Sequence, residues 1–134
     1  FVSGVSDERI AELYAEAEMA VVPSLYEGFS LPAIEAMCTG TPLVATDGGA
    51  LPEVTGADGE TVLQCPAGDK DALAAAIARG LDDAELRARI GAAGRQRVLD
   101  RWTWKLCALQ TVEQYREVLA MPQNVAKLRA NGRI

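Results

Sequence analysis

The chain has 134 residues, of which 49% are hydrophobic and 24% are charged, and its formal net charge is −6. This length suits one globular domain with a buried core, and the composition is typical of a soluble protein. The negative charge argues against binding to nucleic acid or to an anionic membrane through a basic face. The chain contains no histidine, which excludes a catalytic triad or an imidazole base within it.

Three cysteines are present, and their spacing matches no metal-ligand pattern. Cys38 and Cys107 lie among apolar residues in helical patterns, so we expect buried free thiols and a reducing compartment. The sequence has no signal peptide and no apolar run long enough to span a bilayer. We therefore expect a cytoplasmic protein, and peripheral membrane association of a complete protein stays open. Residues 1–3 are typical of the end of a strand and do not start with methionine, so we expect a piece of a longer protein.

Apolar periodicity predicts strands that alternate with helices. The predicted strands are 19–22, 43–45 and 61–65, and the first is expected to be buried on both faces. The predicted helices are 7–17, 31–39, a short one after residue 50, 69–81, 82–99 with interruptions at Gly91 and Gly94, and 103–119. Residues 120–134 are expected to form a short helix or a tail. This alternation indicates an α/β fold with a parallel sheet.

Five arginines crowd the fifth predicted helix and its end. We expect them on a solvated helix face, paired with nearby carboxylates. The arginines are Arg87, Arg89, Arg95, Arg97 and Arg101, and the carboxylates are Asp82, Asp83, Glu85 and Asp100.

Two glutamates eight positions apart mark the candidate site. Glu27 lies in a glycine-containing loop directly after a predicted strand, and Glu35 lies about one turn inside the next helix. That helix opens at Ser30 or Leu31, with Pro32 in its first turn. A glycine turn followed by an open helix N-terminus suits a phosphate, whereas carboxylates suit hydroxyl groups. The pattern therefore predicts a ligand that carries both, such as a nucleotide or a nucleotide sugar.

A second glycine turn, Gly48-Gly49, also follows a predicted strand. Ligands of parallel α/β sheets bind at the carboxyl ends of the strands. We therefore expect the Glu27 loop and the Gly48-Gly49 loop to lie on the same edge of the sheet.

Three ordered segments resemble retaining glycosyltransferase family 4. They are Pro23-Ser24-x-x-Glu27-Gly28-Phe29-Ser30-Leu31-Pro32-x-x-Glu35-Ala36, Gly40-Thr41-Pro42-Leu43-Val44-Ala45 and Gly48-Gly49-x-x-Pro52-Glu53, followed by Trp102-Thr-Trp104 and a helix. The resemblance implies the GT-B fold, with two Rossmann-like domains across a cleft. Residues 1–119 would be the later part of the C-terminal, donor-binding domain, a Rossmann-like parallel sheet with helices on both faces.

The resemblance also implies roles for residues. Glu35 would hold the donor's ribose hydroxyls, and Glu27 would contact the transferred sugar at the reacting centre. Backbone N–H groups from Gly28 to Leu31, including those of Phe29 and Ser30, would meet the sugar and the diphosphate. Gly49, Ala50 and Leu51 would line the base and ribose side.

The resemblance implies a nucleoside-diphosphate sugar as donor, no metal and no other cofactor. It also implies a separate N-terminal acceptor domain and a basic diphosphate clamp, neither of which this chain contains. We expect the chain to be inactive alone and to associate through an exposed sheet edge.

Two alternatives stay open. The glutamate pair would suit the acid and nucleophile of a glycosidase, although the open helix N-terminus between them would then have no purpose. The chain could also be a non-catalytic nucleotide-sugar-binding or assembly module.

Overall fold

The computed structural model describes residues 1–132 of the chain. Strands and helices alternate through the first part of the chain, which confirms the predicted α/β class. The strands are β1 (Ala20–Val22), β2 (Leu43–Thr46) and β3 (Leu63–Cys65). The helices are α1 (Asp7–Glu16), α2 (Leu31–Thr39), α3 (Leu51–Thr55), α4 (Lys70–Asp82), α5 (Ala84–Arg101), α6 (Trp104–Ala120) and α7 (Pro122–Ala130).

The three strands form one parallel sheet in the order β1-β2-β3. Val44 of β2 pairs with Val21 of β1 and with Leu63 of β3. Because all three strands run in the same direction, the loops that follow them leave from one edge of the sheet. This edge carries the candidate site.

Burial of apolar side chains holds α4 and α5 against the sheet. Val44, Leu63, Leu86 and Ile90 form one buried cluster. Helix α5 comes so close to the end of α2 that a Cβ at Gly91 would lie 2.3 Å from the carbonyl oxygen of Gly40. The predicted interruption at Gly91 and Gly94 is therefore wrong: α5 is continuous, and Gly91 serves close helix packing instead of a break.

The chain divides into two compact units, Phe1–Asp100 and Arg101–Ile134. In the second unit, Thr103 caps α6 by accepting a hydrogen bond from the N–H of Leu106 at 3.3 Å. Asn124 ties α7 to α6 by donating to the carbonyl of Val118 at 2.6 Å. Of the segment predicted as a helix or a tail, residues 122–130 form a helix, and residues 133–134 lie outside the described residues. The predicted donor-binding domain of residues 1–119 stays a prediction.

Two predictions about the start of the sheet are wrong. Residues 1–3 form no strand, and Phe1 is fully exposed. Val21 is 39% exposed, because β1 lies at the edge of the three-stranded sheet and Val21 lines an open groove beside α1. The strand is therefore buried on one face only.

Helix α2 is buried along one face only, although its sequence is nearly all apolar, a pattern typical of a fully buried helix. Ala33, Ala36 and Met37 are buried, but Leu31 is 62% exposed and Cys38 is exposed as well. The helix packs through one face, so its other apolar residues reach the surface. Cys107 is also exposed, so the expected burial of Cys38 and Cys107 is wrong, and the buried cysteine is Cys65.

Four of the five arginines of α5 donate hydrogen bonds to backbone carbonyls, which the sequence did not predict. Arg87, Arg95 and Arg97 do so at or near the C-terminal end of a helix, where the helix dipole places partial negative charge. Arg87 donates to Gly80 and Leu81 at the end of α4, Arg89 to Gly59, Arg95 to Cys38 in the last turn of α2, and Arg97 to Glu53 and Val54 in α3.

Candidate active site

The loop that follows β1 holds the carboxylate of Glu27 in a fixed orientation. The Ser24 hydroxyl donates to Oε1 of Glu27 at 2.7 Å, and the Ser24 carbonyl in turn accepts from the Thr46 hydroxyl of β2. Among residues 1–132, Oε2 of Glu27 has no protein donor, so it is available to a ligand hydroxyl. The role of Ser24 was missed in the sequence, because the hydrogen bond joins two side chains of an irregular loop.

The Glu27 loop and the Gly48-Gly49 loop lie directly against each other, as predicted. The carbonyl of Glu27 accepts from the N–H of Ala50 at 2.8 Å, and Glu27 and Gly49 form an isolated parallel bridge. Gly49 has φ +65°, and a Cβ there would lie 2.4 Å from the Glu27 carbonyl oxygen. A larger residue at this position would push the two loops apart.

Helix α2 begins with unpaired donors. Its first turn offers the N–H groups of Leu31 and Ala33, which have no intrahelical acceptor, while Pro32 has no N–H. Ser30 occupies the cap position as predicted, but its φ is +73° and its side chain makes no capping hydrogen bond. The Ser30 hydroxyl is buried and has no partner within residues 1–132. The first turn thus presents donors and the positive end of a helix dipole to an anion.

Glu35 lies exposed in the middle of α2. It lines a groove of about 270 Å³ together with Tyr14 of α1 and Cys38. Burial, and then the charge of Glu35, raise the pKa of Tyr14. This groove contains none of the other predicted site residues.

The structure thus brings some of the predicted site residues together and leaves others apart. Glu27, Gly49 and Ala50 form one junction, with Gly28, Phe29 and Leu31 exposed next to it in the chain. Leu51 has an exposure of 0% and anchors α3 in the core. A direct contact of Leu51 with a ligand would require it to move.

The edge near β3 carries negative charge instead. Burial, and then Asp47, Asp69 and Asp58 in that order, raise the pKa of the Cys65 thiol. A phosphate group would be repelled from this side. The described residues include no group of three or more Cys, Asp or Glu side chains placed to hold a metal ion. An anion is therefore best accommodated at the start of α2.

The sequence and the α/β fold match a known family of proteins. The family model for glycosyl transferases, group 1, matches residues 1–97. The chain therefore belongs to this family, and its solved structural neighbours have the GT-B fold.

Particular relatives refine the comparison. The chain is 50% identical over 118 residues to the MMP alpha-(1->4)-mannosyltransferase of Mycolicibacterium hassiacum. The aligned region covers 88% of this chain and 29% of that protein. The structure of the sucrose-phosphate synthase from Thermosynechococcus elongatus aligns with a TM-score of 0.81 and 42% sequence identity. This alignment covers 90% of this chain and 30% of the synthase chain. The C-terminal domain of a group 1 glycosyl transferase from Francisella tularensis aligns with a TM-score of 0.70 and 27% identity, over 78% of this chain and 53% of its own.

The chain thus spans about 29% of the length of the mannosyltransferase. Its similarity to an isolated C-terminal domain fits the predicted placement in the C-terminal part of a GT-B protein. None of the helices within residues 1–132 has the length and apolar character needed to cross a membrane.

Proposed function

We propose that this chain is the donor-binding part of a retaining glycosyltransferase, which moves a hexose from a nucleoside-diphosphate sugar to an acceptor. The proposal depends mainly on one observation, the junction in which the Glu27 loop is joined to the glycine loop by the Ala50–Glu27 hydrogen bond of 2.8 Å. This junction places a carboxylate beside an open helix N-terminus. A sugar attached to a diphosphate offers matching hydroxyl and anionic groups.

Each part of the donor has a partner in this proposal. The free oxygen of Glu27 accepts a hydrogen bond from a hydroxyl of the transferred sugar, while Ser24 holds the other oxygen. The diphosphate lies at the first turn of α2, near the N–H groups of Leu31 and Ala33. Glu35, about one turn further along the same helix, accepts hydrogen bonds from the ribose hydroxyls.

Retention follows from front-face attack, in which the leaving phosphate accepts the proton of the acceptor hydroxyl. Negative charge grows on that phosphate as the glycosidic bond breaks. Donors that point at it stabilise the transition state more than the ground state, which raises the rate. The mechanism needs no histidine, which the chain lacks, and no metal. The acceptor site and the basic diphosphate clamp would lie in other parts of the complete protein. We expect that protein in the cytoplasm.

The two alternatives make different demands. A glycosidase would use Glu27 and Glu35 on one sugar, but Glu35 lines a separate groove with α1. A non-catalytic module would bind the nucleotide sugar without turnover, and the family relationship does not by itself exclude this.

The test is Glu27→Gln in the full-length protein that contains this chain, assayed with uridine, guanosine and adenosine diphosphate hexoses. The substitution keeps the shape and removes the charge, and hydrogen bonds to charged groups contribute about 1.5–3 kcal/mol. We expect kcat to fall about 10–100-fold, with little change in the affinity for the nucleoside diphosphate. Glu85→Gln, at an exposed carboxylate of α5, is the matched control. Turnover at the wild-type level in the Glu27 variant would remove Glu27 from the reaction, and hexose release without a nucleoside diphosphate would favour the glycosidase.

A further inference from the structure

We propose that Arg97 is a positioning residue for this site, because it holds α3 and, through α3, the backbone of Glu27. The inference rests on the proposed function, since it concerns the same site. It assigns a role to an arginine that the sequence placed on a solvated helix face.

The first step concerns the stability of α3, which has only five residues. Such a short helix is not stable alone, because its formation fixes many backbone dihedral angles and gains few hydrogen bonds. The last four carbonyls of a helix lack N–H donors within that helix. In α3, each of these four carbonyls nevertheless accepts a hydrogen bond. Gly56 N–H donates to Pro52 at 3.0 Å, Arg97 Nη2 to Glu53 at 2.6 Å, Arg97 Nε to Val54 at 2.9 Å, and the Thr61 hydroxyl to Thr55 at 2.6 Å.

The second step concerns what Arg97 alone supplies among these partners. Its guanidinium reaches two successive carbonyls from α5, across 43 and 44 residues of sequence. The planar fork of arginine presents two separate nitrogens to the two acceptors, whereas lysine offers a single nitrogen. The positive charge also lies at the negative end of the α3 dipole. Arg97 is thus the charged link between α5 and α3.

The third step connects α3 to the candidate site. Its other end is the glycine loop, where Ala50 donates to the Glu27 carbonyl at 2.8 Å. Leu51 and Val54 are buried, so the core holds one face of α3, while Arg97 holds its C-terminal end. A loosened C-terminal end would let α3 shift and would lengthen the Ala50–Glu27 hydrogen bond. The carboxylate of Glu27 would then lose its fixed place.

Arg87 provides a matched control on the same helix. It also donates to two successive carbonyls, those of Gly80 and Leu81, at 2.8 and 2.6 Å. These carbonyls belong to α4, which carries none of the predicted site residues. Replacing either arginine removes similar hydrogen bonds, and only Arg97 connects to Glu27.

The experiment compares Arg97→Lys, Arg97→Ala, Arg87→Lys and Arg87→Ala in the full-length protein. Amide hydrogen exchange at Ala50 reports the junction without any donor or turnover. We expect exchange at Ala50 to quicken about tenfold in both Arg97 variants, a loss of about 1.4 kcal/mol, and to stay unchanged in both Arg87 variants. Lysine should not rescue Arg97, because its single nitrogen cannot reproduce the spacing of the Nε and Nη2 donors.

Steady-state kinetics with the preferred nucleoside-diphosphate hexose completes the test. We expect kcat to fall about tenfold in the Arg97 variants while KM changes little, and both constants to remain near wild type in the Arg87 variants. Unchanged exchange at Ala50 in the Arg97 variants, or equal effects of Arg87 and Arg97, would overturn the inference. If exchange quickens as expected while Glu27→Gln retains full turnover, the positioning contact holds and the proposed function fails, so the two failures are distinguishable.

Discussion

Replacement of Gly49 by alanine should test the junction of the two site loops most directly. Gly49 has φ +65°, and a Cβ there would lie 2.4 Å from the Glu27 carbonyl oxygen and 3.0 Å from its nitrogen. Both contacts are with backbone, which cannot rotate away as a side chain could. The substitution must therefore either strain the loop or move it away from Glu27.

The expected loss has two parts. A left-handed conformation costs an L-residue roughly 1–2 kcal/mol. Separation of the loops also removes the hydrogen bond between Ala50 and Glu27, which contributes about 1 kcal/mol. We expect Gly49→Ala to lower the free energy of unfolding by about 2–3 kcal/mol.

Gly59→Ala separates these two parts. Gly59 has φ +72°, but the nearest atom to its added Cβ is a terminal nitrogen of Arg79 at 3.9 Å. This variant carries the conformational cost without the clash, so we expect about 1–2 kcal/mol. Urea unfolding of both variants and the parent chain, at one protein concentration, measures the difference. Equal losses for the two variants would show that the close approach at Gly49 does not hold the loops together.

The remaining predictions use other parts of the chain. In the full-length protein, Glu35→Ala should weaken nucleoside-diphosphate binding about 10–100-fold by calorimetry, and unchanged affinity would remove Glu35 from the ribose role. A thiol reagent at neutral pH should modify exposed Cys38 quickly and buried Cys65 slowly; the reverse order would contradict the described packing. Burial raises the pKa of the Cys65 thiol above that of an unfolded thiol. The stability that this thiol contributes should therefore be present below about pH 8.5 and be lost as the pH rises further. The pH dependence of unfolding in a Cys65→Ala variant should lack that loss. The free edge of β1 should make the isolated chain associate, and Val21→Lys should shift it towards a monomer by light scattering; a monomeric parent chain would contradict this.

The sheet edge that carries the site was predictable because it depends on local patterns. Strands alternate with helices, and such strands are parallel, so the loops after β1 and β2 must leave from the same edge. The start of α2 was also predictable, because Pro32 fits only the first turn of a helix. These features follow from the backbone rules of each element and need little knowledge of long-range packing.

Contacts between distant parts of the chain were not predictable in the same way. The exposure of Cys38 depends on which face of α2 meets the sheet, and an apolar sequence does not indicate that face. The bonds of Arg97 to α3 span more than forty residues of sequence, and nothing near Arg97 indicates its acceptors. Its acidic neighbours suggested ion pairs instead, although unsatisfied carbonyls at helix ends are equally strong partners.

The placement of charge around the sheet edge supports the proposed position of the diphosphate at the start of α2. Asp47, Asp58 and Asp69 lie near Cys65 at the end of β3 and make that side unfavourable for an anion. At the end of β1, an unpaired carboxylate of Glu27 would likewise repel a phosphate at the first turn of α2. The Ser24 hydroxyl instead holds one of its oxygens at 2.7 Å, and a sugar hydroxyl on the other oxygen would disperse the charge further. A ligand with a hydroxyl beside its phosphate would thus reduce the repulsion between Glu27 and that phosphate, whereas a bare phosphate would not. The proposed function therefore predicts that the site binds a sugar diphosphate more tightly than an inorganic anion.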